Sequence, residues 1–243
     1  MKRAERHHLK ENEIQLLTRQ ARDLMESRKR ETAVAIVAAI VVGALALGYY
    51  AWHQHVESRA HEMLAQAITV QEARVAPTVA PGGTAVVAPG SYPSEQARAD
   101  AALVKLKAAA DAYPTSDAGI FARYQEATTL MSLGRPNEAI SRYQEVIKRS
   151  GDGIFGQTAR LGLADAQARA GQYEQAINTF KELAQRKDGP LPIDGILMHL
   201  GRTYLDAGKR AEAQQTFNRL VEEFPTSPYT AEARQQLDSL KKT

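Results

Sequence analysis

Apolar and polar positions divide this 243-residue chain into stretches of different period. Ala33 to Trp52 is twenty residues without a charge, AVAIVAAIVVGALALGYYAW, apolar on every helical face. As a helix it spans roughly 30 Å, the thickness of a bilayer's hydrocarbon core, with its backbone polar groups satisfied internally. Tyr49, Tyr50 and Trp52 gather at one end, where amphipathic rings favour the headgroup region, and Arg28, Lys29 and Arg30 crowd the other. Ahead of it, Ile14, Leu17, Ala21 and Leu24 predict a short amphipathic helix from Glu11 to Arg28. Beyond it the apolar positions keep helical period to the C-terminus, apart from one Pro- and Gly-rich interruption. The predicted fold class is all-α.

The helical stretches repeat. The segments GRPNEAISRYQ from Gly134, GQYEQAINTFK from Gly171 and GKRAEAQQTFN from Gly208 start 37 residues apart, twice. Ala139, Ala176 and Ala213 keep that interval, as do Tyr143, Phe180 and Phe217. Upstream, Ala127, Ala164 and Gly201 form a column of small residues, and Pro114-Thr115 recurs as Pro225-Thr226. Paired helices explain these columns. The glycine ends one helix, because it alone enters the left-handed conformation without steric cost. The small residue before it lets two antiparallel helices approach. The alanine and aromatic after it lie four apart on one face, which packs back on the first helix.

This pattern resembles the tetratricopeptide repeat, a helix–turn–helix unit with a small residue, a glycine, an alanine and an aromatic at fixed offsets. The third copy matches best, through Leu200, Gly201, Tyr204, Gly208, Ala213, Phe217 and Pro225. The first two carry Leu130 and Gln167 where the third has Tyr204, and 37 residues exceed the family's 34 by three. The resemblance implies a helical-repeat solenoid with repeats at 117–151, 154–188 and 193–225 and a capping helix at 227–242. Ala102, Leu106 and Ala109 extend the columns backwards to a half repeat at 94–114, in a domain running from 94 to 243. The partner of that half repeat is residues 58–75, unless 53–75 is instead a helical stalk. Residues 76–93, APTVAPGGTAVVAPGSYP, carry no charge and read as an inserted loop.

Composition changes this picture in one respect. The net charge is +3 and the mean hydropathy −0.39, which suggests a mildly basic soluble chain. Residues 1–31 hold nine Lys/Arg against six Asp/Glu, and the remainder is balanced. The excess is thus a topology signal. Only Arg59 lies in the fifteen residues after Trp52, so the positive-inside rule keeps 1–31 cytoplasmic and sends the repeats across the membrane. Residues 32–52 then act as a signal anchor. Ala44-Leu45-Ala46 offers a cleavage site, but the basic arm is long and the apolar run continues past it. Ala35, Ala39 and Gly43 have the spacing that lets two such helices approach, which leaves a homo-oligomer open.

The chemistry of catalysis is thin. Cysteine is missing, and the glycine, serine and histidine motifs of phosphate loops, hydrolases and zinc proteases do not occur. His53 and His55 point about 200° apart on a helix, so with His61 they make a poor metal site. The expectation is a non-enzymatic protein without cofactor or metal, and without a basic stripe for nucleic acid.

The resemblance implies binding instead, along a groove lined by the first helix of each pair. By position in the family the lining residues are Phe121, Tyr124, Thr128 and Met131, then Leu161, Asp165 and Arg169, then Met198, Arg202 and Leu205. Phe121, Tyr124 and Met198 would be apolar anchors, and Asp165, Arg169 and Arg202 would hold charge or backbone. Tyr124 and Thr128 stand where carboxylate-clamp members need Lys and Asn, which argues against that activity. The order of arm, anchor and repeats resembles the YfgM-like family of ancillary SecYEG translocon subunits. That implies translocon subunits, exported chaperones or their substrates as partners. The alternatives are an envelope-assembly or cell-division scaffold, and a regulatory adaptor that sequesters a cytoplasmic signalling protein through residues 1–31.

Overall fold

The computed structural model describes residues 29–76, 90–186 and 189–241. The amphipathic helix read over the N-terminal arm, and most of the Pro/Gly-rich loop, lie outside them. The chain divides between His55 and Val56 into two units. The boundary falls inside helix α1, Lys29–Gln71. In the first unit α1 is exposed from Ala33 to His55, including Val34, Ile40, Leu45, Leu47 and Trp52. By length and composition this helix is apolar enough to cross a membrane.

The second unit opens with the rest of α1, from Val56. Its Ala60, Leu64 and Ala67 are buried in a cluster with Leu106, Ala109, Ala110, Ala118 and Ala122. Within 58–75 the helix runs to Gln71, with one side in this cluster. Strand β1, Arg74–Val75, then pairs in parallel with β2, Ser91–Tyr92, and Ala76 N–H donates to Tyr92 O at 3.0 Å. Reading 76–93 wholly as loop missed this pair. A parallel pair needs a crossover of about a dozen residues, and the insertion supplies one. Arg98 Nη1 adds a bond to Ala73 O at 3.2 Å, so both ends of the excursion are fastened beside the next helix.

Seven more helices follow: α2, Glu95–Ala112; α3, Asp117–Ser132; α4, Pro136–Ser150; α5, Ile154–Arg169; α6, Tyr173–Gln185; α7, Ile193–Asp206; and α8, Arg210–Glu223. Helix α9, Thr230–Lys241, closes the series. Ser94 Oγ accepts the Ala97 N–H and Ser116 Oγ the Gly119 N–H, which start α2 and α3. Each first helix ends at a glycine of positive φ: Gly134 (70°), Gly171 (76°) and Gly208 (73°). The following N–H reaches back five residues each time, Arg135 to Leu130, Gln172 to Gln167 and Lys209 to Tyr204, at 2.9, 2.8 and 2.8 Å. An identical stop every 37 residues therefore sets identical helix hairpins. A Cβ at Gly208 would meet nothing, but its φ would be strained. Gly208→Ala should lower stability by about 1 kcal/mol, seen as a lower chemical-denaturation midpoint of the full chain.

The repeat columns are the core. Ala139, Ala176 and Ala213 are fully buried, as are Phe180 and Phe217, with Tyr143 nearly so. Gly201 lets α8 close on α7, since a Cβ there would lie 2.4 Å from the Phe217 ring. Consecutive helices pack from α2 to α9, and across repeat boundaries α3 also touches α5 and α5 touches α7. First helices thus form one continuous inner row, which positions the surface described next.

Candidate protein-binding surface

Residues of the inner row recur at the repeat interval, so side chains from α3, α5 and α7 stand side by side. On α3, Phe121 and Tyr124 are half-buried and stacked, with centroids 6.3 Å apart and planes 22° apart. Phe155 of α5 meets Phe121 at 6.0 Å, and Tyr143 of α4 meets Tyr124 edge-on at 5.8 Å. Edge and offset contacts of this kind suit the quadrupoles of the rings. Thr128 is exposed, with its hydroxyl 3.2 Å from the Tyr143 hydroxyl. Burial pushes the Tyr143 phenol up to about 12, against a smaller opposing effect of the Thr128 bond. The Tyr143 phenol is therefore neutral at any ordinary pH. Met131 packs half-buried beneath it, against the core of the first two repeats.

Further along, Leu161 and Leu205 are half-buried against the core of the last repeats. Asp165 Oδ1 lies 2.7 Å from His199 Nδ1, an ion pair between α5 and α7 when the imidazole is protonated, and the His199 ring stacks on Phe180. Arg202 is exposed but engaged, its Nε donating to Glu232 of α9 at 3.1 Å. Arg169 is exposed and makes no ion pair among the described residues.

Met198 departs from the expectation. It shares a column with Tyr124 and Leu161 but is 0% exposed, inside a cluster with Ala233 and Leu237 of α9. Helix α9 stands where the first helix of a further repeat would stand, and its Glu232 is tied to Arg202 of α7. The column that is open on α3 is closed on α7 by the cap. Met198 is a packing residue and not an accessible anchor.

Phe155 went unread because it lies outside the repeat columns. A signal existed: Ile154 and Phe155 are adjacent bulky residues straight after a Gly-Asp-Gly turn, where a packed helix start is usually small or polar. Tyr143 was read for its core role and also backs the aromatic group. His199, unassigned before, is the link between two first helices.

The pairing of helices, the left-handed glycine stops and the inner row are one motif repeated in phase. The profile described as "Tetratricopeptide repeat-like domain" matches residues 29–242. The chain belongs to this family. Tetratricopeptide repeat-like domains are protein-binding scaffolds, and the aromatic group on α3 lies on the inner row of first helices. No curated protein matches the chain. Among solved structures, the nearly identical TPR-like repeats of a Podosopora anserina kinesin light chain align with a TM-score of 0.58 at 14% identity, over 76% of this chain and 86% of that one. A second structure of the same repeats gives 0.57 at 13% identity, over 76% and 87%. A tetratricopeptide repeat protein from Parabacteroides merdae gives 0.48 at 19% identity, over 59% and 54%. At these identities the likeness is one of fold.

Among the described residues, no cluster of three His, Asp or Glu has metal-holding geometry. Charge is instead concentrated between α2, α3 and α4. Arg123 pairs with Asp111, Glu126 and Glu145, the last at 3.1 Å, and Arg142 pairs with Glu145 and with Glu126 at 3.2 Å. Burial raises the Glu126 carboxyl above the usual carboxylate range, and Arg123 and Arg142 oppose that rise. These groups hold the first repeat together behind the aromatic face.

Proposed function

We propose that this tetratricopeptide repeat-like protein is anchored in the bacterial inner membrane by the charge-free stretch of α1, with its arm cytoplasmic and its repeats periplasmic. There it binds other proteins, as an ancillary subunit of the translocon and its chaperone network. The observation that carries the anchoring is the exposure of Ala33–Trp52 on all sides, since twenty such residues in water would forfeit the stabilisation that apolar groups gain on leaving it. The basic flank supports the orientation. The translocon assignment rests on the likeness of arm, anchor and repeats to the YfgM-like family. Envelope assembly or cell division would use the same scaffold for other clients.

The binding site is the stacked pair of Phe121 and Tyr124 on α3, with the exposed Arg169 further along the row at the end of α5. A photocrosslinker at Tyr124, used in native membranes, should capture exported chaperones or translocon subunits. Recovery of cytoplasmic proteins alone would overturn the topology, and recovery of assembly or division proteins would change the client. Phe121→Ala should weaken capture by about tenfold or more, as truncating an aromatic anchor does. Thr179→Ala, on α6 away from this face, should leave capture intact.

A further inference from the structure

The turns between successive pairs share one edge of the second unit, and the chain enters that unit at the same edge. Glu57 Oε1 accepts the Asp117 N–H at the start of α3, at 3.2 Å. Arg149 Nη1 donates to Pro114 O at 2.9 Å, which joins the α4–α5 turn to the α2–α3 turn. Arg186, after α6, reaches Asp152 Oδ1 at 3.3 Å and adds the third turn. From Glu57 onwards, neighbouring turns are therefore linked in order along one side.

Ile154 and Phe155 project from the middle of this edge. They are 60% and 38% exposed, and they are adjacent. Burial of apolar side chains of this size is stabilising, and the fold leaves part of that unrealised. The segments on either side carry cations. Lys148 and Arg149 end α4, and Arg160 and Arg186 both bond to Asp152 in the turn. The neighbouring turns carry Asp117 and Asp194, while in the strip beside the apolar pair these four cations face the single carboxylate Asp152.

We infer that this edge rests on an anionic lipid headgroup surface, with Ile154 and Phe155 entering the interface and the four cations over the phosphates. The inference builds on the anchored reading above. Trp52 and Glu57 are five residues apart, a reach of at most ~18 Å even when fully extended, so headgroups are always close to the edge. Apolar side chains beside Lys and Arg are the chemistry of interfacial binding, in which each cation near an anionic surface contributes about 1 kcal/mol, or roughly fivefold. A soluble partner would have to compete with a surface that is tethered within reach.

The absence of cysteine gives a clean test with the full chain. Ile154→Cys and, as a control on the exposed face of α8, Gln215→Cys carry a polarity-sensitive dye after reconstitution into vesicles. In phosphatidylglycerol-containing vesicles a lipid-borne quencher should act on residue 154 at least about threefold more strongly than on residue 215. Adding Lys148→Glu should lower that docked fraction by about tenfold. Equal quenching at both sites, in protein that resists alkaline extraction, overturns the docking and leaves the anchor standing. Release of the chain by alkaline extraction overturns the anchor and the docking with it. Strong quenching in pure phosphatidylcholine overturns the role of the cations. A signal that grows with protein density makes a second copy the occupant, and overturns the inference.

Discussion

Replacing Arg123 by methionine should cost about 3–5 kcal/mol of folding stability, because it leaves a buried carboxylate without its main partner. The Arg123 and Glu126 side chains are 7% and 4% exposed. In the variant Glu126 keeps only Arg142, at 3.2 Å, and Asp111 and Glu145 also lose their shared cation. A carboxylate whose folded pKa lies above its unfolded value binds protons more readily when folded. Its contribution to stability therefore declines as pH rises from the ordinary carboxylate value through the raised one. Removing Arg123 takes away one of the charges that oppose the rise, so the gap between variant and parent should be wider at pH 8 than at pH 5. Adding Glu126→Met should recover much of the loss, since an apolar pair of similar volume does not pay for desolvated charge. Chemical denaturation of the four proteins of this cycle measures both statements. An Arg123→Met loss below 1 kcal/mol, about the upper end for exposed pairs, would mean that the network behaves as surface charge.

That network also marks where sequence reading stopped. The columns at Gly134, Gly171 and Gly208 were legible because a left-handed stop tolerates few substitutes, so each carries its cause in its residue type. The alanine and aromatic columns were legible because two helices can only close where one side chain is small. Arg123, Glu126 and Arg142 carry no such mark. Charged residues three apart on a helix read as a solvated face, and what buries these is the approach of α2 and α4, which is not local in sequence. Met198 failed for a related reason. Periodicity assigns it correctly to the inner row, but it does not say that α9 covers the row at its last repeat. The candidate surface was therefore half legible, with Phe121 and Tyr124 found by register and Phe155 missed because it lies at the start of α5, outside the repeat columns.

Gly119→Ala should destabilise by about 3 kcal/mol, at the upper end of overpacking costs, because the added methyl would strike backbone that has no alternative rotamer. A Cβ at Gly119 would lie 1.7 Å from Tyr113 O, and one at Gly156 would lie 2.0 Å from Gly151 O. Both are the third residue of a first helix, where the preceding turn folds back over the helix start. Relief requires moving the turn, and in α3 that turn also holds the Ser116 cap and the bond from Arg149 to Pro114. Gly195 is the third residue of α7, yet its Cβ would meet Tyr229 at 3.5 Å and Pro192 Cγ at 3.9 Å, both ordinary contacts. Gly195→Ala should then stabilise by about 0.5 kcal/mol, through the higher helix propensity of alanine. The two substitutions are chemically identical and occupy equivalent helix positions, so opposite signs isolate the turn geometry as the cause. Denaturation midpoints that move in the same direction for both would show that the turn before α3 does not press on its helix in solution. With opposite signs, the repeat interval of 37 would have a physical meaning at its joints. The tight turns before α3 and α5 require glycine, whereas the longer connection before α7 relaxes the requirement.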